Sequence, residues 1–191
     1  MKTITKKFKV FEFKELSNEI KDKVIEKHYN NEDYPFLEDD LKEELNYIDD
    51  KKVFQDVKLQ YSLSCCQGDG LCFDSKIDLK AFLSDYSLKE SVKRALQDYI
   101  YNIITKNSNN HYCYASKNQI DFEYNGSEDK KHIENVWQNV FEDIKTYYMD
   151  ICSKLEKYGY SILEYRMNYN EFQEYCESNE YEFLENGSMF N

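Results

Sequence analysis

The sequence predicts an α+β fold in which antiparallel β-hairpins pack against amphipathic helices, with one long central helix. Three observations carry that expectation. The segments Val57 to Leu63 and Leu71 to Leu79 alternate apolar and polar residues with the period of two that a half-buried strand requires. Other segments repeat apolar residues every three or four positions, and the longest, Ile133 to Tyr158, holds that period far enough to form a spine. Aromatic residues make up 16% of the chain, 18 Tyr, 12 Phe and one Trp, which supplies a core despite 32% charge and a mean hydropathy of -0.84. At 191 residues the chain is expected to form a single α+β domain over residues 1–191.

Taken in order, Thr3 to Phe13 alternates loosely and reads as a strand. Ser17 caps a helix whose face carries Ile20, Val24, Ile25 and His28, ending near Asn30. Pro35 opens a second helix, where its missing N–H costs nothing, with Leu37, Leu41, Leu45 and Ile48 as the buried stripe. The two alternating strands follow. Ser87 and Glu90 have capping-box spacing ahead of a helix with Leu88, Val92, Leu96, Tyr99 and Ile103 on one face. Asn107 to Asn110 is a loop, and His111 to Tyr124 is read as a hairpin with Ile120, Phe122 and Tyr124 on one side. Ser127 caps the long helix, and Gly159 fits the left-handed position that ends one. A short helix over Glu171 to Ser178 and a hairpin turning at Asn186-Gly187 close the sequence.

Charge narrows the partners. Asp and Glu outnumber Lys and Arg 37 to 25, a net -12 that repels phosphate, so direct nucleic-acid binding is not expected. Such a surface suits solubility, a basic protein partner, or imitation of a nucleic acid's charge. The densest acidic run lies on the second helix, Glu38, Asp39, Asp40, Glu43 and Glu44, relieved by Lys42 and followed by Asp49 and Asp50. A solvated outer face explains the run as readily as a binding face does. No apolar stretch approaches the roughly 18 residues of a membrane span, and no signal-peptide core follows the Lys-rich start. Six cysteines without a Cys-x-x-Cys or Cys/His spacing lead to reduced thiols in a cytoplasm, and no metal or other cofactor is expected.

The Gln67-Gly68-Asp69-Gly70 turn is the one segment with the look of a motif, able to offer backbone N–H groups to an anion or Asp69 to a cation. Turn chemistry accounts for its glycines equally well. A two-residue turn at Asp69-Gly70 would pair Leu63 with Lys76 and split the apolar faces. A three-residue loop, Gly68 to Gly70, pairs Leu59 with Leu79, Tyr61 with Ile77 and Cys65 with Phe73, giving one buried face. That register sets Cys66 opposite Cys72, a pair that reads as two small, partly buried thiols, with a strained redox bridge or half of a soft-metal site as the alternatives. No phosphate-loop lysine follows the turn.

Catalytic residues are not assigned. His28, His111 and His132 fall in separate elements without triad spacing. A two-residue turn at Lys117-Asn118 would set Tyr112 and Tyr114 against Asp121 and Glu123, which is ordinary sheet surface as well as a possible metal or water cluster. Asp69, Asp74 and Lys76 have the residue types of a metal-dependent nuclease core, but five residues from the first acid to the second is shorter than that arrangement normally allows.

Three stretches together resemble a family of phage and prophage proteins of undetermined activity, some labelled antitoxin-like. They are Phe11 to Ser17 with the Lys21 to Lys27 helix, the run Tyr61-Ser62-Leu63-Ser64-Cys65-Cys66-Gln67-Gly68-Asp69-Gly70-Leu71-Cys72-Phe73, and the tail from Leu155 to Tyr160 with Asn179 to Phe183 and Asn186-Gly187. The resemblance implies a host-cell cytoplasmic setting and a non-enzymatic inhibitor of a host defence complex, anti-CRISPR-like, whose acidic face occupies a basic protein or nucleoprotein surface. It carries over no catalytic residues. A small-ligand binder or metal-assisted enzyme centred on Gln67 to Gly70 is the alternative, and an antitoxin-like neutralising partner is a third reading.

Overall fold

A computed structural model describes residues 6–31, 34–64, 68–108, 112–116, 120–127 and 132–190. The fold is α+β, as the periodicities predict. Its contacts divide into two compact units, residues 1–35 with 161–191 and residues 36–160.

The larger unit opens with α2 (Leu37–Ile48), followed by β1 (Phe54–Ser62) and β2 (Gly70–Ile77). The short α3 (Leu79–Leu83) and α4 (Glu90–Tyr99) lead into β3 (Ile100–Asn107) and β4 (Ile120–Gly126). These strands form an antiparallel sheet in the order β1-β2-β3-β4. The helix α5 (Glu134–Arg166) gives its residues up to 160 to this unit and the rest to the smaller one. Its apolar stripe lies on the sheet: Tyr148 packs against Phe73 and Phe122 with ring centroids 4.6 and 5.3 Å apart, and Trp137 against Tyr124 at 4.9 Å. Tyr148 is fully buried, and its hydroxyl donates to the Phe73 carbonyl at 2.7 Å and accepts from the Phe73 N–H at 2.9 Å. A buried tyrosine needs such partners for its polar tip.

The smaller unit holds α1 (Asn18–Asn31), α6 (Tyr169–Ser178) and the strands β5 (Glu182–Phe183) and β6 (Met189–Phe190). Phe13, Leu16, Val24, Ile25, Phe172, Cys176 and Phe183 form its core, with the Phe13 and Phe172 rings 4.9 Å apart. His28 lies edge-on to Phe172 at 5.1 Å, a structural position on the apolar face of α1. Asn186-Gly187 does turn the hairpin. Gly187 sits at φ 81° at the end of a three-residue loop closed by Leu184 N–H to the Ser188 carbonyl, 2.8 Å.

Several expectations need correcting. Over the described part of the predicted Thr3 to Phe13 strand, only Phe11 pairs, bonding to Phe183 in both directions at 2.8 Å, and Phe13–Glu15 is a 3-10 turn. Ser87 forms no capping box, because α4 starts later, with Lys89 at its cap position. Nor does α4 reach Ile103: from Ile100 the chain is a strand whose Ile100, Ile103, Thr105 and Asn107 are buried. That β-branched run satisfied helical spacing as well as strand spacing. β4 pairs with β3 rather than with the segment after His111, so Asp121 faces Lys106 and Glu123 faces Ile104 instead of tyrosines. Ile120, Phe122 and Tyr124 still share the inner side.

Two glycine-centred expectations also change. The β1–β2 register pairs Leu59 with Phe73, Tyr61 with Leu71 and Ser62 with Gly70, so the predicted Leu59–Leu79, Tyr61–Ile77 and Cys65–Phe73 pairings are not formed. Cys72 faces Gln60, and Cys65, Cys66 and Gln67 lie outside the described residues. Leu79 is in α3, capped by the Asp78 carboxylate on the Ala81 N–H at 3.0 Å. Gly159 does not end α5, which continues seven residues further. A Cβ there would stand 2.5 Å from Leu63 Cδ1 and 3.4 Å from Leu41 Cδ2, so the missing side chain is what lets α5 approach α2 and the end of β1.

Candidate functional site

α2 is helical because Leu37, Leu41 and Leu45 recur every four residues and bury one stripe. Glu38, Asp39 and Asp40 occupy its first turn, where the helix dipole favours negative charge. At the other end Asp49 closes the connection to β1. Its carboxylate accepts from the N–H groups of Val53 at 3.1 Å and Phe54 at 2.9 Å, and from the Tyr147 hydroxyl at 3.1 Å. Asp49 is therefore a buried structural carboxylate rather than part of an acidic surface; Asp50 is exposed.

What α2 presents outward is acidic. Glu38, Asp39 and Glu43 are exposed, and Asp40 and Glu44 are half-buried beside them. Lys42 is the one cation within this run, and its Nζ lies 2.7 Å from Glu38 Oε1, a bond that holds the lysine above its ordinary range. Two tyrosines from other elements frame the run. Burial, then Glu38, pushes the Tyr61 hydroxyl up; burial, then Glu44, Asp40 and Glu43, does the same for Tyr158 of α5. Phe36 at one end of α2 is 61% exposed and Tyr47 near the other 79%. Tyr47 was legible: it stands three and four residues after Glu44 and Glu43, the spacing of one helical face. Tyr61 and Tyr158 were not, because they arrive from distant elements.

The glycine turn is built differently. Asp69 accepts from the Ser62 hydroxyl at 2.6 Å and from the Ser64 N–H at 2.7 Å, closing the loop on itself. Gly68 and Gly70 have φ of 95° and 149°, and the segment after His111 lies directly on them. A Cβ on Gly68 would meet the Tyr112 ring at 2.1 Å, and one on Gly70 the Tyr114 Cα at 2.5 Å. The Cys113 N–H donates to the Gly68 carbonyl at 3.2 Å. Internal packing thus accounts for the two glycines and Asp69; Gln67 lies outside the described residues.

The remaining candidates are dispersed. Asp74 accepts from the Asn107 N–H at 2.9 Å, and Lys76 pairs with Asp56 at 2.6 Å, so neither joins Asp69. Asn107, 3% exposed, also donates to Gln60 Oε1 at 2.8 Å and the Tyr112 carbonyl at 3.2 Å, a polar knot that no sequence pattern announced. Burial pushes the Cys72 thiol up to about 12 and Cys152 well above its ordinary value, so both are protonated at neutral pH and poor nucleophiles. Among the described residues no group of three or more His, Cys, Asp or Glu is placed to hold a metal ion, and no helix is long and apolar enough to cross a membrane. The chain matches no protein-family profile, no curated protein and no solved structure.

Proposed function

We propose that the protein is a non-enzymatic, phage-type inhibitor of a host defence complex, anti-CRISPR-like, acting in the host cytoplasm by laying the outer face of α2 on a basic protein surface. The observation that carries this reading is the composition of that face. Glu38, Asp39, Asp40, Glu43 and Glu44 stand together, Lys42 is already bonded to Glu38, and Phe36 and Tyr47 project at the two ends. A groove that binds nucleic acid is lined with Lys and Arg, and a helix of carboxylates competes for the same charges. Long-range attraction speeds encounter, and desolvated aromatics at the rim slow release.

The test is capture of a basic nucleoprotein partner from a bacterial host, then affinity measured on the purified pair. Binding is expected to weaken steeply between about 50 and about 300 mM salt, and nucleic acid is expected to compete for the partner. The combined substitutions E38K, D39K, E43K and E44K should lower affinity by roughly 100-fold or more. Retention of full affinity by that variant overturns the proposal.

A further inference from the structure

A cavity of about 360 Å³ opens where β2 and β3 part company. The two strands pair only at Ser75–Thr105 and Lys76–Ile104; beyond that, β2 turns into α3 at Asp78 while β3 arrives from α4 through an irregularity at Tyr101. Ile77, Leu79, Ile100 and Ile103, each at most 7% exposed, form an apolar floor. Lys80, Gln97 and Asn102 stand on its rim.

Which polar groups are already engaged decides what this cavity can hold. Asp78 and Lys80 are its only ionisable side chains apart from Tyr101. Both Asp78 oxygens are taken, Oδ1 by the Ala81 N–H at 3.0 Å and Oδ2 by Gln55 Nε2 at 3.1 Å. Lys80 has no carboxylate partner among the described residues, whereas neighbouring Lys76 is paired to Asp56 at 2.6 Å. The side-chain amides of Gln97 and Asn102 likewise make no hydrogen bond among the described residues. Asp78 keeps its negative charge but turns its oxygens to the Ala81 N–H and Gln55 Nε2, so the polar groups left to meet a ligand are the Lys80 ammonium and the side-chain amides of Gln97 and Asn102 above the apolar floor.

We propose that this cavity binds a small amphipathic carboxylate, with its apolar body on the isoleucine and leucine floor and its carboxylate at Lys80, Gln97 and Asn102. The volume is within the range of small-molecule sites, and the cavity opens to solvent on the side of Lys80. This inference is independent of the α2 reading, since none of its residues lies on that helix.

Octanoate, octanol and octylammonium, titrated into the whole chain, separate the contributions of shape and charge. Octanoate is expected to bind saturably and tightest of the three, shifting backbone amide resonances of Lys80, Gln97 and Ile100 to Ile103. Lys80→Met should weaken octanoate by about tenfold and leave octanol unchanged, since a charge-assisted contact is lost while the floor is intact. Gln97→Glu, which adds a carboxylate to the rim, should weaken octanoate as well and supplies a second variant. Equal affinity for octanoate and octanol, insensitivity to both variants, resonance shifts elsewhere, or no saturable binding in the millimolar range would each overturn the proposal.

Discussion

The outer face of α2 and the Gly68–Gly70 turn both stand out in the sequence, one as a run of charge and the other as a motif, and the fold uses them in opposite ways. In the turn every distinctive residue is engaged within the chain: the glycines lie beneath Tyr112 and Tyr114, and Asp69 is bonded to Ser62 and Ser64. On α2 the leucines are buried and the carboxylates lie on the outer side, Glu38 bonded to Lys42. A motif bonded within the chain serves stability, whereas a run of carboxylates on an outer helical face presents charge to the surroundings. The sharpest way to break this contrast is Gly70→Ala. The new Cβ would lie 2.5 Å from backbone of Tyr114 at a φ of 149°, so neither side chain nor chain can yield cheaply. Denaturant unfolding should show a loss of about 3 kcal/mol, from left-handed strain and overpacking together. A neutral substitution would mean the turn is held less tightly than its contacts imply.

Asp69→Ala is the next step down. It leaves the Ser64 N–H and the Ser62 hydroxyl without their acceptor, at a cost of about 1–2 kcal/mol in the same measurement, with partner affinity unchanged. The α2 reversal E38K/D39K/E43K/E44K should behave in mirror image. Its stability change is expected to stay within about 2 kcal/mol, most of it from losing Glu38 and Asp39 in the first turn of α2, since the exposed ion pair contributes little, while partner binding collapses. If the turn variant lost binding and the helix variant lost stability, the assignment of the two regions would be reversed.

The same division explains what could be read from sequence. α1, α2, α5 and the inner side of β4 follow from apolar spacing alone, because each buries one stripe or face against one neighbour. The β1–β2 register did not follow, for two reasons. Ser62 already pairs with Gly70, so the partners of Leu59 and Tyr61 lie six positions nearer the turn than a three-residue loop gives, and the ladder then slips by one between Gln55 and Lys58, where Asp56 takes a φ of 52°. The loop is also wider than its glycines imply, since Asp69 closes it through side-chain bonds that leave no trace in hydrophobic pattern. Gly159 was misread because a glycine after a lysine-rich turn looks like a helix end, and only the approach of Leu63 and Leu41 shows it to be a notch. The acidic residues of α2 were legible as a group. Their framing by Tyr61 and Tyr158 depends on tertiary contact and was not.

The finest test lies on α5, where Glu156 feels the turn and Tyr158, two residues on, feels α2. Burial first, and Asp69 second, raise the Glu156 carboxyl above its ordinary value, with Lys157 opposing. A carboxyl whose folded value is raised binds its proton more tightly in the folded state. Stability therefore falls as pH rises through the window above the ordinary glutamate value, and returns as pH falls back through it. Glu156→Gln removes that slope, so the variant should gain on the wild type at pH 7 and lose the advantage in acid. Partial solvation limits the difference to about 0.5 kcal/mol. Asp69→Ala should shrink the gain from Glu156→Gln, because one of the two causes has already gone, whereas the α2 reversal should leave it intact and instead lower the Tyr158 titration followed by NMR of labelled tyrosine. Coupling of Glu156 to α2 rather than to Asp69 would show that the turn and the acidic face act as one electrostatic surface, and the contrast between them would fail.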